Sequence, residues 1–125
     1  MMPNFDKSSP ELVARFNEVA PGDTQVTRKQ MFGWPSLFIN GNLFAGLHRQ
    51  GIVVRLPPSQ LNEVLRKPGV IAFEPMPGRV MTGYALITDP LDWKRDELSD
   101  CIANSLAFAR HLPIKPKKSA KKVRR

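Results

Sequence analysis

The chain has 125 residues, 42% hydrophobic and 24% charged, the size and balance of one compact globular domain rather than a disordered or fibrous chain. No apolar run reaches the roughly 18–20 residues that span a bilayer, and the first nine residues lack the apolar core of a signal peptide. The net charge of +8 is concentrated at one end: seven of the 19 cations lie in residues 114–125, which hold no acid, while residues 1–113 sum to +1.

Ser9-Pro10-Glu11 reads as a helix start, with Ser9 as N-cap and Pro10 in the first turn. Leu12, Val13, Phe16, Val19 and Ala20 follow at helical spacing, and Pro21-Gly22 stops the run, which predicts a helix over about 10–19. From Gln25 the pattern changes to short β-type runs. Leu37, Phe38 and Ile39 lead into Asn40-Gly41, a type I′ hairpin signal, and residues 42–47 return as the second strand. A two-residue turn pairs Leu37 with Phe44 and Phe38 with Leu43, which makes the hairpin apolar on both faces. Residues 52–56 give a third strand in which Arg55 points opposite to Val54.

Pro57-Pro58 ends that strand and opens a short helix carrying Leu61, Val64 and Leu65, which stops before Pro68-Gly69. Residues 70–73 form a fourth strand, 74–79 a Pro/Gly loop, and 80–87 a fifth strand. Gly83 inside the fifth strand marks a bulge or the close approach of another backbone. After Asp89-Pro90 a long final helix places Leu98, Cys101, Ile102, Ser105, Leu106 and Ala109 inward and Asp96, Asp100 and Arg110 outward. The order is α-β-β-β-α-β-β-α, an α+β domain over residues 1–113 around a mainly antiparallel sheet. Residues 114–125 form a basic tail with too little apolar surface to offset its ordering entropy, and it is expected to be disordered.

Chemistry-bearing patterns are sparse. A metal site needs converging ligands at recognisable spacing, and His48, His111 and Cys101 form no spaced pair. Cys101 is the one cysteine; it excludes an intrachain disulfide, fits a reducing cytoplasm, and reads as a small buried hydrophobe in mid-helix. His48, beside Arg49 at a strand end, reads as a surface or turn-bonded histidine, and His111 as the terminus of the last helix. No glycine-rich phosphate loop or pair of working carboxylates is present, so no catalytic residue, cofactor or metal is expected.

Charge is uneven within the domain too. Residues 24–88 sum to +5, against −2 for residues 1–23 and −2 for residues 89–113. The aromatics Phe32, Trp34, Phe38, Phe44, Phe73 and Tyr84 are interleaved with Arg55 and Arg79, a pattern that either packs a core or stacks exposed bases.

Met31-Phe32-Gly33, Asn40-Gly41-Asn42-Leu43-Phe44-Ala45-Gly46-Leu47 and Val54-Arg55-Leu56 occur here in an order that resembles the N-terminal domain of the TfoX/Sxy competence regulators. Phe73-Glu74-Pro75, Gly78-Arg79-Val80-Met81, Tyr84 and the final run from Ala107 to Pro113 extend the resemblance over residues 10–115. It implies an α+β fold similar to that of type III secretion chaperones. It also implies a regulatory role in DNA-uptake competence, beside the cyclic-AMP receptor protein, with no established catalytic residues. Trp34-Pro35 stands here where the family commonly has a second glycine. The full-length regulators carry a second, helical domain, and the expectation here is that twelve basic-tail residues stand in its place.

The expected function is a non-enzymatic, cytoplasmic regulatory or binding module acting through protein or nucleic-acid contacts. Arg55 and Arg79 on the sheet and Lys117, Lys118, Lys121 and Lys122 in the tail are the candidate contact residues. Expected partners are a protein of transcription regulation, non-specific nucleic acid through the tail, and a second copy covering the doubly apolar hairpin; no membrane is expected. The alternative is a small-ligand or enzymatic domain with a pocket near Trp34, His48 and Tyr84.

Overall fold

The computed structural model describes residues 8–31 and 33–114. Helix α1 (Pro10–Val19) begins as its sequence requires: the Ser9 hydroxyl accepts a hydrogen bond from the Leu12 N–H at 3.2 Å, and Pro10 occupies the first turn. Strands β1 (Thr27–Met31), β2 (Trp34–Ile39), β3 (Asn42–His48) and β4 (Gly51–Arg55) follow as a meander. Helix α2 (Pro58–Leu65), strands β5 (Val70–Ala72) and β6 (Tyr84–Ile87), a 3₁₀ turn (Pro90–Asp92) and helix α3 (Arg95–Arg110) complete the order. All six strands pair antiparallel, in the order β1-β2-β3-β4-β6-β5. The α+β class and the element order agree with the sequence reading, and the segment beginning at Gln25 contributes one further strand, β1.

Two differences have local causes. Asn40 (φ 52°) and Gly41 (φ 82°) form the expected tight turn, but a bulge between Leu37 and Phe38 pairs Leu37 with Ala45, not Phe44. Residues 80–83 are not strand. They end a loop closed by hydrogen bonds from the Phe73 N–H to the Tyr84 carbonyl (3.3 Å) and from the Met81 N–H to the Phe73 carbonyl (2.8 Å). Gly83 (φ 92°) does meet another backbone, since its carbonyl accepts from the Leu56 N–H at 3.2 Å.

The main core lies between the sheet and the helices. Phe16 of α1, Ile102 and Leu98 of α3, and Phe44, Ile52, Val54 and Ile87 of the sheet are fully buried there. The inward stripe of α3 is Leu98, Cys101, Ile102, Ser105, Leu106 and Ala109, as its periodicity predicts. β3 is buried from end to end within one chain, while Trp34, Pro35 and Phe38 of its hairpin partner β2 are half-buried. No helix among the described residues is long and apolar enough to cross a membrane.

Candidate functional site

The face of the sheet turned away from the helices carries its own small apolar cluster: Leu43, Val53, Phe73 and Tyr84, flanked by Phe38, Met81 and Leu86. Register explains the grouping. Lys29, Ser36, Gly46, Val53, Leu86 and Ile71 form one row across all six strands, and alternate residues along a strand share a face. Gly46 sits opposite Ser36, whose hydroxyl would lie 2.7 Å from any Cβ placed there, so this close approach admits only glycine without rearrangement. Phe73, just past β5, is 2% exposed and packs in the same place. The space left beside it, lined by Ser36, Gly46, His48, Val53 and Phe73, is about 10 Å³, at most one water.

This packing corrects two expectations. His48 is not at the surface: it is 8% exposed, with the Trp34 ring centroid 4.7 Å away and the Phe73 ring edge-on at 5.0 Å. Among the described residues, the hollow beside His48 is also not shared with Trp34 and Tyr84. Phe73 occupies the space beside His48, and Tyr84 points elsewhere, its hydroxyl donating to the Leu43 carbonyl at 3.0 Å. The interleaved aromatics therefore divide: Phe44 lies in the main core, Phe73 seals the open face, and Phe38 and Trp34 stay half-buried. Phe32 lies outside the described residues.

The rings of this face carry cations. Lys29 Nζ lies 5.3 Å from the Phe38 centroid, the Arg49 guanidinium 5.9 Å from Trp34, and the Arg55 guanidinium 5.3 Å from Tyr84. Each such contact is worth about 0.5–1 kcal/mol at an exposed position. None of the six strands contains an acidic residue, so the face has no carboxylate of its own strands to neutralise these charges.

Of the residues nominated from sequence, Arg55 lies on β4 but is half-buried. Its Nη1 donates to the Tyr84 hydroxyl at 3.4 Å, its guanidinium also approaches the Phe108 ring of α3 (5.9 Å), and its Nε is buried without a partner among the described residues. Burial raises the Tyr84 hydroxyl pKa, and the Arg55 charge partly opposes that rise. Arg79 is not on the sheet; it is exposed in the loop before β6, where its N–H donates to the Met76 carbonyl. Lys117, Lys118, Lys121 and Lys122 lie outside the described residues. Lys29 and Arg49 are the contributors that sequence reasoning missed. One sits on an edge strand without apolar pattern and the other in a turn (φ 58°), and only strand register brings either to an aromatic ring.

Burial pushes the Cys101 thiol up to about 11, which keeps it protonated and inert, and it lies on the helix side of the sheet. Among the described residues no group of three or more His, Cys, Asp or Glu side chains is placed to hold a metal. What the face offers chemically is three cations, each stacked on a ring, around a closed apolar surface.

Searches of curated proteins and of solved structures give no match. The family model for the TfoX N-terminal domain matches residues 17–109, from within α1 into the last turn of α3 and across the whole sheet. That match spans most of the chain and includes every residue of the cation-bearing face, and the chain belongs to the TfoX N-terminal domain family.

Proposed function

We propose that this chain is a non-enzymatic regulatory module that meets the phosphate backbone of a nucleic acid through the open face of its sheet. The observation that carries the reading is the stacking of Lys29 on Phe38 and of Arg55 on Tyr84, on strands without a single acid, with the Arg49 guanidinium over Trp34 at the β3–β4 turn. Cations held on rings lose less side-chain freedom on binding, which favours contact with a regularly spaced anion. The resemblance to competence regulators supports a cytoplasmic role in gene control, with a protein of the transcription apparatus as a second contact. The seven cations of residues 114–125 add sequence-independent attraction.

The test is anisotropy of a labelled DNA duplex titrated with the full chain and with K29Q/R49Q/R55Q, over about 50–300 mM salt. Each lost phosphate contact flattens the log–log salt slope by about 0.9, so the variant slope should be shallower by roughly 2–3. Equal slopes, with circular dichroism showing the variant folded, would overturn the reading.

A further inference from the structure

On the helix side, α2 and α3 leave an open groove of about 380 Å³ between them. Its floor is apolar, from Leu56, Val64 and the buried Cys101, and Trp93 forms part of its wall. Its rim is acidic: Glu63 from α2 and Glu97 and Asp100 from α3. Past Trp93 the groove continues into a second hollow of about 320 Å³ that adds Asp89 and Asp92, so five carboxylates face one cation, Lys67. That lysine rests on the Trp93 ring, its Nζ 5.4 Å from the centroid, so the groove already accommodates one ammonium group. No ion pair among the described residues engages Glu63, Asp92 or Asp100. Gln60, also on the groove wall, has a buried Oε1 with no donor among the described residues.

The chain contains a segment of opposite charge within reach. Residues 114–125 hold seven cations and no acid, with Pro116, Ala120 and Val123 among them. The chain leaves α3 at a fixed point, because the Asn42 side chain donates to the Pro113 carbonyl at 2.9 Å. The groove residues of α3 are Glu97, Asp100, Cys101 and Asn104, one helical stripe that continues through Phe108 toward that exit. Asn104 is six residues from the end of α3, about 9 Å of helix, and Glu97 thirteen, about 20 Å. Residues 115–125, extended, reach about 36 Å.

We propose that the α2–α3 groove is the docking site for the chain's own basic tail, folded back along α3, with its lysines on the carboxylate rim and Val123 toward the apolar floor. The contact holds the tail cations away from other anions, so a polyanion must compete for them. It stands independently of the nucleic-acid reading of the sheet face.

The test uses the full-length chain with Ser119→Cys carrying a nitroxide label. Native Cys101 is left in place, since its burial and raised pKa keep it from reacting. In dilute protein at low salt, amide signals of residues 60–67 and 97–104 should broaden selectively. The broadening should vanish at about 1 M salt, where the screening length falls to about 3 Å. It should vanish also in E63Q/E97Q/D100N, where glutamine at 97 still accepts from the Lys94 N–H. Broadening on the sheet strands instead, or none, would overturn the proposal. So would broadening that arises only between labelled and unlabelled molecules, which would assign the groove to a second copy.

Discussion

On the open face of the sheet one ring, Phe73, fills the space beside Val53 and Gly46 and leaves about 10 Å³, whereas across the molecule α2 and α3 leave about 380 Å³ between them. The first closes because Gly46 lets β2 and β3 side chains and an aromatic ring share one position. The second stays open because α2, eight residues long, packs on β5 and β6 while α3 packs on β3 and β4. Charge divides along the same line. The six strands contain no acid, while α2, the 3₁₀ turn and α3 supply Glu63, Asp92, Asp96, Glu97 and Asp100. A near-neutral domain is thus polarised: a closed face where cations sit on rings, and an open acidic groove. Composition alone does not show this, because the net charge of residues 1–113 is only +1.

The contrast can be broken most strongly at Phe73. Phe73→Ala should cost about 3–5 kcal/mol in urea unfolding, because a sealed position cannot refill the volume, and a cost below about 1 kcal/mol would mean the face is not sealed. On the groove side, Cys101 is protonated in the fold to about pH 11 but ionises near its ordinary pKa of 9.0 when unfolded. The unfolded state therefore binds fewer protons between those values. Stability from this group is full below about pH 9 and falls as pH rises toward 11, by on the order of 2–3 kcal/mol relative to Cys101→Ala. Parallel pH profiles for the two proteins would show the thiol to be solvated through the groove.

Gly46→Ala sharpens the account of why the sheet face closes. The added methyl meets Ser36 Oγ and should cost about 1–3 kcal/mol, and Ser36→Gly in the same chain should recover part of it. Tyr84→Phe removes the bond to the Leu43 carbonyl and the partner of Arg55 Nη1, for about 1–1.5 kcal/mol. The smallest effect belongs to the groove rim. Asp100→Asn should change stability by less than about 0.5 kcal/mol, because an exposed carboxylate without an ion pair contributes little to the fold.

Much of the fold was legible because its signals are local. Ser9-Pro10, Asn40-Gly41, Pro57-Pro58 and the α3 stripe each specify their own geometry through capping, turn strain or helical period. β1 was less legible because an edge strand with Thr27, Arg28, Lys29 and Gln30 all exposed has no apolar alternation to read. Residues 80–83 looked like strand because Val80 and Met81 are apolar, yet Met81 is spent on the small cluster around Phe73 and Val80 is 57% exposed. The site was less legible than the fold. His48 is buried by Trp34 and Phe73, and Lys29 and Arg49 reach their rings, through pairings between strands that the neighbouring residues do not encode.

The most direct test of the polarity is an amide shift map of the labelled full-length chain as a short DNA duplex is added. The account predicts shifts clustered on β1, β2 and the β3–β4 turn, around Lys29, Trp34 and Arg49, and at Arg55 and Tyr84. Shifts confined to α2 and α3, or none at saturating duplex, would contradict it.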